Sequence, residues 1–223
     1  MNFGTAKGSL PDYLHRKLTV LVHSRRFLLG AALAGLTLPA ARSATLLGAE
    51  PLGSSVSPGL LQRALDALEQ HRDQIVHRDF LGVADFSRPS RLPRFHLVNL
   101  ADGSVMSHLV AHGRGSDPAH TGWLERFSNE PHSNATSAGA YRTGEPYVGA
   151  HGHSIHLDGL DPTNSNAASR AIVVHSAWYV SEEMAGDRGM LGRSQGCFAV
   201  APTSLVDVVR RLGPGRLIFA AKA

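Results

Sequence analysis

The sequence predicts a mainly β domain with peripheral helices, one of them N-terminal, and three observations carry that prediction. Short apolar runs rich in β-branched residues recur after Asp79. Glycine (23) and proline (12) are frequent enough to punctuate those runs with turns. Helical periodicity is confined to two segments. At 223 residues the chain has room for one ordinary domain plus extensions. Hydrophobic residues make up 43% and charged residues 18%, with no low-complexity tract and no fixed-period repeat, which suits a globular protein.

Taken in order, residues 1–43 read as an export address rather than as part of the fold. Ser24-Arg25-Arg26-Phe27-Leu28-Leu29 precedes an apolar stretch from Gly30 to Ala41. Ala41 and Ser43 supply the small residues at −3 and −1 for cleavage after Ser43. The paired arginines followed by Phe and Leu resemble a twin-arginine signal, which predicts a mature chain in the periplasm or cell envelope. The stretch is shorter than the about 20 residues a membrane span needs. No cysteine lies near the cleavage region, so a lipid anchor is excluded. This segment also accounts for the net charge of +4: it holds six basic residues against Asp12, leaving 16 basic and 17 acidic residues in 44–223. A near-neutral body lacks the electrostatic footprint of a nucleic-acid binder.

Residues 44–78 form a lead and a helix. Thr45 to Val56 is a flexible lead, and Ser57-Pro58 opens the helix with Ser as cap and Pro at the first position. Leu61, Ala64, Leu65, Leu68, Ile75 and Val76 make its packing stripe. Residues 79–223 form the domain. Phe80–Phe86 reads as a strand, and 93–100 with 105–111 as a hairpin turning at Asp102-Gly103. Residues 112–139 form a long ordered loop. Ala140–Thr143, Tyr147–Leu157 and Arg170–His175 supply further strands. Thr203–Leu212, capped by Thr203 or Ser204, is the second helix, and Leu217–Ala221 the last strand. The sheet should be mainly antiparallel.

An exported chain usually carries cysteines in pairs. Here Cys197 is alone, so no internal disulfide forms, and a lone thiol outside the cytoplasm is either buried or used. Ala171-Ile172-Val173-Val174 is an apolar run typical of a buried strand, and His175 stands at its end. Ser194-Gln195-Gly196-Cys197 follows, with its cysteine twenty-two residues after His175. A thiol attacks as thiolate, and a neighbouring imidazole takes its proton to form an ion pair. Gly196 permits a tight turn and lets backbone N–H groups approach a carbonyl oxygen that becomes negative. Thirteen histidines leave the choice of base open on composition alone.

A strand-borne His, an intervening loop and then Ser-x-Gly-Cys resemble the YkuD-like L,D-transpeptidases, in particular the murein L,D-transpeptidase catalytic domain branch. The similarity covers most of residues 79–202. It includes Val110-Ala111-His112-Gly113-Arg114-Gly115-Ser116, Phe127-Ser128-Asn129, Ser137-Ala138-Gly139-Ala140-Tyr141 and Leu157-Asp158-Gly159-Leu160, and is strongest from Arg170 through Cys197 to Pro202. Gln195 stands where the wider family has His, and Ala199 where it often has Arg or Asn.

The resemblance implies an L,D-transpeptidase-like β-sandwich and a cell-wall acyltransferase without a cofactor. Its partners would be peptidoglycan stem peptides, with covalent inhibition by carbapenems. Cys197 would attack the diamino-acid carbonyl of a stem tetrapeptide, D-Ala would leave, and an amine of another stem would resolve the thioester into a 3–3 cross-link. Water as acceptor would make the chain an L,D-carboxypeptidase. His175 would be base and then acid, oriented by the Ser176 carbonyl, with Gly196 and Cys197 N–H groups forming the oxyanion hole. Arg193 would meet a substrate carboxylate or form a structural ion pair. Ser194, Gln195, His112 and His156 would border the substrate. A non-catalytic wall-binding module and a metallohydrolase are the competing classes. The metal reading looks to His151, His153 and His156, but on a strand the third points away from the other two, so no metal is expected. Trp123 and Trp178 could stack on sugar or peptide, with core packing the expected role of each.

Overall fold

The structure is a computed structural model that describes residues 56–223. The export signal and most of the lead therefore lie outside the described residues. Helix α1 spans Pro58–Gln70. The strands are β1 (Phe80–Asp85), β2 (Phe95–Asn99), β3 (Val105–His108), β4 (Val110–Ala111), β5 (Gly139–Gly149), β6 (Gly152–Gly159), β7 (Val173–Ser176), β8 (Phe198–Val200) and β9 (Leu217–Ala221). Two further helices, α2 (Glu182–Arg188) and α3 (Pro202–Arg211), flank β8. Among the described residues no helix is long and apolar enough to cross a membrane.

The strands form a single nine-stranded sheet in the order β3-β2-β1-β9-β5-β6-β7-β8-β4. Its two edge strands, β3 and β4, are separated in sequence only by Leu109. The sheet must therefore curl until its edges meet, and its halves then face each other as in a sandwich. The rings of Phe95 on β2 and Phe198 on β8, far apart in strand order, lie 6.5 Å apart across the enclosed core. That core collects Ala84, Leu97, Val110, Tyr141, Ile155, Val174, Val200 and Ile218 from eight of the strands. Leu205, Val208 and Leu212, from α3 and its end, join it. The pairing is mainly antiparallel, as expected, with two parallel exceptions: β1 with β9 and β7 with β8.

The alternating residues point outward and are covered separately. Leu81, Val83, Val98, Ala140, Leu217 and Phe219 pack under Leu60, Ala64, Ala67 and Leu68 of α1. The helix is thus part of the same packing as the sheet. Of its expected stripe Ala64 and Leu68 are buried and Leu61 and Leu65 half-buried, with Leu60 and Ala67 completing the buried face; the helix stops at Gln70, leaving Ile75 buried beyond it and Val76 exposed. Ser57 occupies the cap position without a side-chain hydrogen bond, the missing donor at Pro58 having lightened the need for one.

Other expectations change. The run from Tyr147 to Leu157 is not one strand, because the chain reverses between Gly149 and Gly152 to join β5 to β6. Arg170 to Ile172 precede β7, with Ala171 held at φ 53°. The sequence reading missed α2 altogether. Neither Thr203 nor Ser204 caps α3; Pro202 occupies its first turn and Ala201 its cap.

Candidate active site

Strand β7 forms because Val173-Val174 is β-branched and buried, and it lies parallel to β8 with His175 beside Ala199 and Val174 beside Phe198. Alternation sends Val174 and Phe198 into the central core and turns His175 and Cys197 to the opposite, outer face. Cys197 immediately precedes β8, diagonally across from His175 on that face. Both are nearly buried, at 8% and 3% exposure, and both line an open cleft of about 610 Å³.

The imidazole is oriented by its own neighbour. Nδ1 of His175 lies 2.9 Å from the Ser176 carbonyl oxygen. A carbonyl only accepts, so Nδ1 carries the proton and donates it, leaving Nε2 with the lone pair a base needs. Burial pushes the His175 pKa down, opposed by the Ser176 bond and reinforced by His151. Burial likewise pushes the Cys197 thiol up, against hydrogen bonding from the Val173 backbone, the charge of Arg170 and the residue's own backbone. Both shifts favour the uncharged forms. The Cys197 Sγ lies 3.5 Å from the Ala171 carbonyl oxygen.

The turn before Cys197 is held by short-range contacts to its backbone. The Ser194 hydroxyl donates to the Cys197 carbonyl (2.7 Å) and accepts from the Gly196 N–H (3.1 Å). Gly196 adopts φ 121°, which disfavours any residue with a Cβ, and such a Cβ would meet the Ala135 carbonyl at 2.8 Å. Thr136 ties this turn to the 112–139 loop, its hydroxyl donating to the Gly196 carbonyl (3.1 Å) and accepting from the Gly113 N–H (2.9 Å). Ser194 N–H donates to the His112 carbonyl and Arg114 N–H to the Ser194 carbonyl, completing a short parallel bridge.

A sequence profile of the L,D-transpeptidase catalytic domain matches residues 53–221, three quarters of the chain. The chain belongs to the L,D-transpeptidase catalytic domain family. No curated protein matches it significantly. Among solved structures it is similar to an L,D-transpeptidase from Mycobacterium smegmatis (16% identity, 64% of this chain and 58% of that one, TM-score 0.40). It is also similar to the L,D-transpeptidase LdtMt1 in complex with imipenem (16%, 64% and 59%, TM-score 0.39). A third is the helical cell shape determining protein Pgp2 from Campylobacter jejuni (11%, 75% and 57%, TM-score 0.44). The chain thus spans less than two thirds of the length of each of these structures.

Within this L,D-transpeptidase domain the residues singled out from sequence separate into two groups. Cys197, His175, Ser176, Arg193, Ser194 and Gln195 all border the cleft. His112 and His156 do not. His112 is buried at 1% exposure, where its Nδ1 accepts from Arg94 at 2.7 Å and its Nε2 faces Asp117 at 3.4 Å. Burial foremost, with Arg94 next, pushes its pKa down to about 3. His156 stacks on Tyr147 at 4.0 Å on the β5–β6 hairpin. Two further roles shift. The Gly196 N–H is engaged by Ser194 and is not free for an oxyanion, and the Ser194 hydroxyl holds the turn rather than facing a ligand. The Arg193 guanidinium donates to the carbonyls of Asp117 and Pro118, with no carboxylate partner shown for it. Ala199 is buried among Ala111, Ala177 and Leu191 and does not border the cleft.

Three cleft residues lie outside the site set expected from sequence. Arg170 lines the cleft while its Nη1 donates to the Ser128 carbonyl (2.8 Å) and the Ser137 hydroxyl (2.7 Å), and its charge acts on the thiol. His151, one of the three histidines that the metal reading considers, stacks on the His175 ring with centroids 4.4 Å apart and planes at 22°. Trp178 is 80% exposed on the cleft rim instead of packed in the core, and Trp123 is also exposed. Among the described residues no group of three or more His, Cys, Asp or Glu side chains could hold a metal ion.

Proposed function

We propose that the chain is a peptidoglycan L,D-transpeptidase in which Cys197 is the nucleophile and His175 the general base. One observation carries this reading. The chain's single thiol opens into a cleft beside a buried imidazole whose Nδ1 proton is committed to the Ser176 carbonyl. In the donor half-reaction the Cys197 proton passes to His175 Nε2 as sulfur attacks the diamino-acid carbonyl of a stem tetrapeptide. The D-Ala amine leaves with that proton, and a thioester remains. In the acceptor half-reaction a side-chain amine of a second stem gives a proton to His175 and attacks the thioester. The peptide bond closes the 3–3 cross-link and sulfur recovers its proton. Arg170 stabilises the developing thiolate, offsetting part of the cost of charge in a buried site. Export by a twin-arginine signal within residues 1–43 would bring the enzyme to that substrate.

The test uses the mature protein and a carbapenem. A covalent adduct on Cys197 is expected by intact mass, and Cys197→Ala should form none while losing more than about 10³-fold of its activity on disaccharide tetrapeptides. Muropeptide mass spectrometry should then show 3–3 dimers. Tripeptide without dimers would make the enzyme an L,D-carboxypeptidase at the same site. Unaltered mass with carbapenem, together with activity in Cys197→Ala, would overturn the assignment of the nucleophile.

A further inference from the structure

The β5–β6 hairpin contributes something to the cleft that its sequence does not announce. It reverses between Gly149 and Gly152, so Ala150 and His151 form its tip, and both reach the cleft wall. His151 is exposed, yet its ring lies almost flat on the buried ring of His175, with centroids 4.4 Å apart. The other hold on His175 that the structure displays is the Nδ1 bond to Ser176. The Nδ1 bond fixes one edge of this largely buried ring, and its remaining swing about χ2, a broad and soft torsion, is limited by what packs on its faces. A flat ring laid across its face blocks that swing. The stacked face and the Ser176 carbonyl together determine where Nε2 points.

We propose that His151 is a positioning residue of this enzyme, clamping the His175 ring so that Nε2 is held ready for proton transfer in the cleft that Cys197 also lines. The inference rests on reading Cys197 and His175 as nucleophile and base. It assigns the hairpin tip a role in thiol activation rather than in metal or sugar binding. The flat face of the ring is what acts, so phenylalanine should replace it and alanine should not.

The test is alkylation of Cys197 by iodoacetamide in the mature protein, which needs thiol activation but no transpeptidation. Sulfur displaces iodide from the reagent carbon while its proton goes to His175. Wild type should react faster at pH 7 than His175→Ala; equal rates would defeat the nucleophile–base reading itself. Given that difference, His151→Ala should lower the alkylation rate about tenfold, an effect of the size expected from loosened orientation. His151→Phe should stay within about twofold of wild type. The His175 ring-proton resonance should carry an upfield ring-current shift in wild type and His151→Phe that is absent in His151→Ala. Residue 151 is exposed at a hairpin tip, so all three proteins should melt alike. Equal alkylation rates in wild type and His151→Ala, or equal losses in the Ala and Phe variants, would overturn the clamp.

Discussion

Over β1, β9 and β5 the outer face of the curled sheet is covered by helix α1; over β7, β8 and β4 it is covered mainly by loops and the short helix α2. The first cover is apolar and continuous, with Leu60, Ala64, Ala67 and Leu68 on Leu81, Val83, Leu217 and Phe219. The second has a smaller apolar patch, built on Ala111, Ala177, Val180, Leu191 and Ala199. Around that patch the cover is hydrogen-bonded backbone: the Gly113, Thr136 and Gly196 tie, the His112 and Ser194 bridge, and Arg170 on the Ser128 to Ser137 loop. Apolar burial is non-directional and supplies stability. Hydrogen-bonded loops supply less stability per residue and fix position more narrowly, which is what a thiol and an imidazole on adjacent strands require.

If the two covers differ in this way, substitutions should separate activity from stability. The largest expected effect is on the loop side. A Cβ at Gly113 would stand 2.2 Å from the Asn134 carbonyl and 2.7 Å from the Gly196 Cα. Gly113→Ala must push the Cys197 turn away, and a displacement near 1 Å is expected to lower kcat/KM about 100-fold. Its melting temperature should fall by far less than complete unfolding would require. The mirror experiment is Leu60→Ala, a fully buried side chain under α1. It should cost about 3 kcal/mol in urea denaturation, with kcat/KM at 25 °C within twofold of wild type. If Leu60→Ala damages activity as much as Gly113→Ala does, the division of labour is wrong.

Titration sharpens the same comparison. His96, on β2, is completely buried, and its pKa is pushed down to about 4, first by burial and then by Arg88. His112, on the loop side, is pushed to about 3. A histidine depressed in the folded state is neutral in both folded and unfolded chains above the unfolded value near 6.5, so it costs nothing there. As pH falls below about 6.5 the unfolded chain takes up the proton first, and stability is lost until the folded pKa is reached. For His96 that loss runs from about pH 6.5 to about 4 and amounts to about 3 kcal/mol; for His112 it continues lower. Urea midpoints measured at pH 7, 5.5 and 4.5 should fall steadily, and His96→Gln should flatten the decline. A midpoint constant across that range would show that these imidazoles are hydrated.

The contrast also explains what the sequence could disclose. The stripe of α1 recurs at helical period within a 13-residue helix, and the strand at 217–221 is an unbroken apolar run, so both are legible one residue at a time. Cys197 and His175 are legible for a different reason: a lone thiol after Ser-x-Gly and a histidine ending a buried run are local patterns. The supports of the site are not local. Arg170 meets Ser128 and Ser137 across 42 and 33 residues, and Arg94 meets His112 across 18. No spacing rule encodes such partners. His112 is expected at the substrate from the sequence, whereas its ring turns inward to Arg94. The reversal at Ala150-His151 was hidden because apolar and aromatic residues on both sides read as one continuous strand.

Helix α2 was missed for a related reason, and it offers the smallest test. In seven residues it buries only Ala185, so it has no stripe to detect. Its signals lie entirely at its ends: Ser181 before it, Glu182 and Glu183 in the first turn, Arg188 in the last, and Gly189 in the left-handed conformation after it. The Ser181 hydroxyl accepts from the Met184 N–H at 3.1 Å, whereas Ser57, at the same position before α1, makes no such bond. The helix held by burial can do without its cap, and the helix with almost no burial cannot. Ser181→Ala should therefore cost about 1 kcal/mol and Ser57→Ala under about 0.3 kcal/mol in urea denaturation. Because α2 and the adjoining Leu191 border the cleft's Trp178 and Tyr179 rim, Ser181→Ala should also raise KM while leaving kcat unchanged. Equal costs for the two serines would mean that the loop side is held more by burial than its exposed surface indicates.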